Sequence, residues 1–166
     1  MLNKLVDPVL DNVSRVLTTM ARLELHAGEP LMNGNGRVSG DISGIMSLVI
    51  ADHHISVAII FPESVILEIT QRMLPSVSGA IDDKVIDLVG ELTNMVVGGV
   101  KSYFQKEGYI VDMSFPSVVI GPGHVVSHKT DGPKVVIPFD TGKGRFHAEI
   151  CCAERRILEQ SKVASD

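Results

Sequence analysis

Between Asp82 and Glu107 apolar and polar residues separate onto two sides of a helix for more than five turns. So long an amphipathic helix has to lie along a larger apolar surface, which restricts the fold to helices packed on helices or on a sheet. A helix advances about 100° per residue, so residues three or four apart share a face. With Asp87 as origin, Asp83, Lys84, Glu91, Asn94, Gly98, Lys101 and Gln105 fall within roughly 60° of it. Val85, Leu88, Val89, Leu92, Val96, Val100 and Tyr103 lie opposite. Asp82 and Asp83 offer an N-cap and first-turn negative charge, and Gly108 a C-terminal stop. The polar side is unusual. Instead of mixed Lys and Glu it sets a carboxylate, Glu91, one turn before a carboxamide, Asn94, with small residues beside both. Gly90, Gly98 and Gly99 each cost the helix about 1 kcal/mol relative to alanine, a cost that close approach to the backbone would offset. Such a face suits entry into another molecule's cleft.

The remaining chain switches between the two periods. Lys4 to Thr19 predicts a helix with Leu5, Val9, Val13, Val16 and Leu17 as its apolar stripe. Leu23 to Glu29 reads as a short strand and Pro30 to Gly36 as a loop. A long strand follows to Ile50, with Val38, Ile42, Met46, Leu48 and Ile50 inside and Ser39, Asp41, Ser43 and Ser47 outside. Gly40 and Gly44 interrupt its inner face, which predicts curvature and bulges. Ala51-Asp52-His53 turns it into a second strand, His54 to Phe61. Pro62-Glu63-Ser64 starts a helix to about Leu74, and Pro75 to Ala80 connects it to the helix at Asp82. After Gly108 the pattern is β again, over Tyr109–Met113, Ser117–Ile120, Val125–His128, Lys134–Phe139 and Arg145–Ala153. Arg155 to Val163 reads as a short helix or a frayed end. Two long helices on one face of a curved, largely antiparallel sheet satisfy these patterns, making an α+β two-layer sandwich over a single domain, 1–166.

Composition narrows the function. With 166 residues, 45% of them hydrophobic, the chain can bury a proper core. A net charge of −5 argues against nucleic-acid or anionic-membrane partners. No apolar run is long enough to span a bilayer, and Lys4 and Asp7 interrupt any signal-like start. Cys151 and Cys152 are the only cysteines. Adjacent on a strand they point to opposite faces, unsuited to a structural disulfide, and a reduced cytoplasmic setting is expected.

Glu91-x-x-Asn94, preceded by Asp87 and followed by Pro116 22 positions after the Asn, resembles the signature of the CheC/CheX/FliY group of chemotaxis phosphatases. The similarity extends to the element order of nearly the whole chain and is nearest to the single-motif CheX members. The resemblance implies a substrate, the phosphoaspartate of a CheY-like response regulator. It also implies roles: Asn94 orienting the attacking water and Glu91 pairing with the regulator's active-site lysine. Asp87 and Lys101 would tune docking, Gly90 and Gly98 clear space for the partner's loops, and Pro116 would be structural. The chain would bind no cofactor or metal itself; Mg²⁺ is expected in the receiver's site. A homodimer made by joining sheet edges is likewise implied. The family carries two quasi-equivalent helices. Glu68-Ile-Thr-Gln71 reads as the degenerate counterpart, since Gln is a methylene longer than Asn and lacks small neighbours.

Other chemistries lack support. The motif face has no nucleophile, so no covalent intermediate is expected. His53-His54 and His124/His128 are the only close histidine sets among six, and no Cys or carboxylate cluster completes a metal site. Gly121-Pro122-Gly123 and Thr141-Gly-Lys143-Gly144 read as turns, and the second lacks the rest of a P-loop. The alternative is a non-catalytic adaptor that binds a receiver or flagellar-switch component through the same helix and tolerates Asn94→Ala. A remote third reading, a ligand-binding domain with this helix merely exposed, predicts no receiver partner.

Overall fold

The structure, a computed structural model, describes residues 1–32 and 37–154. In chain order its elements are α1 (Leu2–Ala21), β1 (His26–Ala27), β2 (Leu31–Met32), β3 (Ser39–Ile50), β4 (His53–Phe61) and α2 (Glu63–Met73). Then come α3 (Asp83–Lys106), β5 (Val111–Met113), β6 (Ser117–Val125), β7 (Lys134–Thr141) and β8 (Gly144–Glu154). The terminal segment expected from Arg155 to Val163, and the part of the loop at 33–36, lie outside the described residues.

Among the described residues eight strands form one sheet in the order β1–β7–β8–β4–β3–β5, with β2 also on β7 and β6 also on β3. Every pairing is antiparallel. The order shows a repeated plan. Each half runs long helix, broken edge strand, hairpin: α1, β1/β2, β3–β4, then α3, β5/β6, β7–β8, the hairpins meeting along β4 and β8. The two long helices of the α+β two-layer sandwich are therefore α1, with 20 residues, and α3, with 24. The 11-residue α2 is the link between halves. This corrects the assignment of Glu68-x-x-Gln71 to the counterpart of the motif helix. Equivalence is set by which helix precedes a broken edge and a hairpin, and a single helix's pattern does not reveal that.

One core joins the helices to the inner face of the sheet. Leu5, Val9, Val13, Val16 and Leu17 of α1, Val85, Val89, Leu92, Val96 and Val100 of α3, and Ile42, Met46, Val57, Ile59, Ile137 and Ile150 of the sheet belong to it. The sheet's aromatic centre is a stack, Phe61 and Phe139 each 5.0 Å from Phe146 between ring centroids. Two glycines set how closely the layers approach. A Cβ on Gly44 of β3 would collide with the Thr93 hydroxyl of α3, and one on Gly99 of α3 with the Asn12 amide of α1. Both polar groups are buried yet satisfied within their own helices. Thr93 Oγ1 donates to the Val89 carbonyl at 2.7 Å, and Asn12 Nδ2 to the Pro8 carbonyl at 2.8 Å. At the end of α3 the expected inner residue is replaced by its neighbour: Phe104 is 1% exposed and Tyr103 45%.

The outer face is partly covered too. The chain from Val126 to Pro133 links β6 at one edge to β7 toward the other, and Val126 packs with Ala58 and Ile60 of β4. His128 lies 2.7 Å from Ser56 Oγ, and its Nε2 meets Glu149 Oε1 at 2.8 Å, a carboxylate also 3.2 Å from Lys134. Burial works against the Glu149 charge, but the His128 hydrogen bond and Lys134 more than offset it and hold its carboxyl below the ordinary value. The segment Val125–His128 is thus the end of β6 and this crossing strap rather than a separate strand.

Two turn expectations part ways. Thr141 to Gly144 closes the β7–β8 hairpin as expected, with Thr141 Oγ1 accepting from the Lys143 amide. Gly121-Pro122-Gly123 does not turn; it lies within β6. Gly40 and Ile42 of β3 pair with His124 and Ile120, so the register shift is carried by β6 rather than by β3, whose pairing with β4 from Ile42 to Ile50 is unbroken. Asp41 pins the bulge, accepting from the Gly123 amide at 3.1 Å and from the Glu63 amide at 2.7 Å. It thereby caps the N-terminus of α2, whose own N-cap, Pro62, has no side-chain hydrogen bond.

Candidate functional site

The site is built on α3, whose register is fixed before any partner arrives. Asp82 caps it, accepting from the Lys84 and Val85 amides at 3.1 and 3.2 Å. The Ser78 hydroxyl and these amides hold the Asp82 carboxyl below its usual value. Gly108, at φ 92°, stops the helix in the left-handed region. Thr93, one residue before Asn94, sits in the gap left by Gly44, and so the turn carrying the motif rests directly on β3.

Glu91, Asn94 and Asp87 are exposed, with Lys101 half-buried at the far end of the same stripe. Among the described residues none of these four side chains makes a hydrogen bond or an ion pair within the chain. By contrast, the exposed Arg145 grips Asp140 with two hydrogen bonds of 2.8 and 3.0 Å. The three glycines of α3 divide by role. Gly99 serves the contact with α1, whereas a Cβ on Gly98 would meet nothing and one on Gly90 only Val118 of β6, at 3.7 Å. The Glu91–Asn94 turn is thus flanked by open backbone on its outward side, next to the edge strand β6.

A groove of about 340 Å³ adjoins the motif on the side of the α2–α3 connector, lined by Leu74, Pro75, Ser76, Lys84, Asp87, Leu88 and Glu91. Leu74, Pro75, Ser76 and Lys84 are not marked out as site residues by any motif in the sequence. The small-residue connector opening with Pro75 is the groove's only sign there.

The other singled-out residues fall elsewhere. Glu68 of α2 turns to Arg72 at 3.2 Å, with its side chain 12% exposed and Oε2 buried without a hydrogen-bond partner among the described residues. Arg72 also donates to the Arg22 carbonyl at the C-terminus of α1, at 3.1 Å. Gln71 is exposed on its own. The Glu-x-x-Gln of α2 therefore does not present its carboxylate outward. Pro116 lies in the break between β5 and β6, both of which pair with β3, so it shapes the edge. Cys151 and Cys152 are buried, burial raises both thiols, and Cys151 donates to the Thr130 and Gly132 carbonyls. His124 bonds Ser43 and the Gly121 carbonyl, while His128 bonds Ser56 and Glu149. Among the described residues no three His, Cys, Asp or Glu are grouped to hold a metal ion, and no helix is long and apolar enough to cross a membrane.

What this arrangement can do is position. It holds a carboxylate and a carboxamide rigidly, one turn apart, on a helix with clear approach and no nucleophile.

Comparison with known proteins gives the family. Residues 42–140, more than half of the chain, match the family model described as chemotaxis phosphatase CheX. A CheC-like superfamily protein from Shewanella sp. PV-4 is 42% identical, covers 90% of this chain and 97% of its own, and superposes with a TM-score of 0.84. A chemotaxis protein CheX from Vibrio vulnificus is 39% identical over 90% of this chain and 99% of its own, with a TM-score of 0.85. A CheX from Borrelia burgdorferi, solved as a complex of CheX, CheY, BeF3 and Mg, shares the fold at 22% identity, with a TM-score of 0.73 and 90% and 97% of the two chains covered. No curated protein matches the chain. With the family model matched over its centre and relatives this similar over nine-tenths of its length, the chain belongs to the CheX family of chemotaxis phosphatases.

Proposed function

We propose that this chain dephosphorylates the phosphoaspartate of a CheY-like receiver, with α3 entering the receiver's active site. The observation that carries the proposal is the pair Glu91 and Asn94, exposed and without partners among the described residues, on a helix locked from behind by Thr93 and Gly44. Asn94 accepts a hydrogen bond from a water and holds it in line with the phosphorus. The water oxygen bonds to phosphorus as the bond from phosphorus to the aspartyl oxygen breaks, releasing inorganic phosphate and restoring the receiver's carboxylate. Phosphoryl transfer needs little more than positioning and electrostatics, so no nucleophile on α3 is required. Glu91 pairs with the receiver's lysine and fixes the register of the two proteins. Mg²⁺ is the receiver's own ligand. The complex of CheX, CheY, BeF3 and Mg from B. burgdorferi supports a receiver as the partner.

The test is the decay of a phosphorylated receiver from the same organism, with Mg²⁺ and sub-stoichiometric chain. Accelerated decay, abolished in Glu91→Ala and in Asn94→Ala, is expected. Binding without acceleration would make the chain an adaptor, and neither effect across a panel of receivers would remove the receiver as partner. The edge strand β6, with Ile120 50% and Val125 49% exposed, also supports pairing of two copies edge to edge. Sedimentation equilibrium is expected to give a dimer; a monomer at high concentration would refute that.

A further inference from the structure

The groove beside the motif has a composition that selects its occupant. Its apolar lining is Leu74, Pro75 and Leu88, and along its α3 wall stand the carboxylates of Asp87 and Glu91, with one ammonium, Lys84, nearer the helix start. Around it the N-terminal half of α3 carries Asp82, Asp83, Asp87 and Glu91 against Lys84 alone, while beyond Asn94 the first charge is Lys101. The helix face is therefore polarised, acidic on the groove side of Asn94 and basic on the other. An apolar plug would strip water from the two carboxylates and give them no partner, and an acidic one would be repelled. A long cationic side chain satisfies both parts, its methylenes on the leucines and proline and its charge at Asp87.

We propose that the groove between the 74–76 connector and α3 is a second point of attachment for the receiver, and that it takes a lysine or arginine from the receiver's surface, distinct from the lysine paired with Glu91. This rests on the receiver being the partner and extends it. Asn94 and Glu91 act at the phosphoryl group, whereas the groove decides which receivers dock and in which direction along α3. Asp87 is then a positioning residue acting on affinity, and the connector, remote from the chemistry, becomes a determinant of receiver choice.

Two variants test it against a phosphorylated receiver that the wild-type chain dephosphorylates. Ser76→Trp fills the groove from the exposed connector, and Asp87→Asn removes the charge while keeping the shape. Each is expected to raise KM about fivefold to tenfold with kcat within about twofold, as loss of a docking contact outside the reacting centre does. The wild-type KM is expected to rise with salt more steeply than that of Asp87→Asn. Circular dichroism confirms that both variants keep their fold. Unchanged KM in both folded variants, or a fall in kcat at constant KM, overturns the groove as a docking site while leaving the phosphatase reading standing. A wild-type chain inactive on every receiver removes that reading itself, and this inference with it.

Discussion

Two helices of this chain carry a Glu followed three residues later by a carboxamide, and they use it in opposite ways. On α3, Glu91 and Asn94 point outward, bond to nothing among the described residues, and have glycines one residue before the Glu and four after the Asn. On α2, Glu68 turns inward to Arg72, which reaches on to the Arg22 carbonyl and ties α2 to the end of α1. The difference lies in the surroundings. The motif turn of α3 rests on β3 through Thr93 and Gly44, so the opposite side faces out; α2, as the link between halves, has its Glu drawn into the contact with α1. A motif reads as a site only where its own neighbours leave it unsatisfied.

The largest expected effect falls on α3. Asn94→Ala should slow receiver dephosphorylation by about a hundredfold or more, the scale of lost positioning, with the melting temperature unchanged because the side chain is exposed. Asn94→Ala/Gln71→Asn should be equally slow, since α2 then has the right residues with its Glu still held by Arg72; recovered activity in a decay assay would show α2 to be a site. Gly44→Ala should destabilise the fold by about 1–3 kcal/mol in urea unfolding, because Thr93 has nowhere to go, and should lower activity by lifting the motif turn. Arg72→Ala should cost about 0.5–1 kcal/mol with phosphatase activity intact. Gln71→Ala should change neither activity nor stability.

A pH effect separates the framework from the site. The Glu63 and Gly123 amides hold the Asp41 carboxyl below its usual value. Its folded value is lower than its unfolded one, so it contributes stability above the unfolded value, and that contribution disappears as pH falls through the folded one. The acid limb of unfolding, below about pH 4, should therefore flatten in Asp41→Asn when stability is measured across pH.

Much of this was legible in the residues. The partition along Asp82–Glu107 gave α3 within a residue at either end, the β3–β4 hairpin followed from alternation and turn chemistry, the turn at Thr141–Gly144 was visible, and Glu91-x-x-Asn94 with Asp87 and Pro116 pointed to the family. Periodicity reports which side of an element is buried but not against what. It therefore could not show that Gly44 and Gly99 are places where Thr93 and Asn12 enter, or that Gly121-Pro122-Gly123 is a bulge pinned by Asp41. It also could not pair α3 with α1 across the sheet, because that relation exists only in strand order. The groove stayed hidden for the same reason: its walls come from the connector and from α3, and only folding brings them together.

Catalysis on α3 requires Asn94 to act at the phosphoryl group rather than merely in binding. The direct measurement is the single-turnover rate of receiver dephosphorylation at saturating chain, alongside the affinity of the same proteins for a beryllofluoride-activated receiver. Asn94→Ala is expected to drop the rate to the receiver's own spontaneous hydrolysis, with an affinity within a few-fold of wild type. A saturated rate equal to wild type, with affinity alone reduced, would contradict this role and leave α3 a docking surface without chemistry.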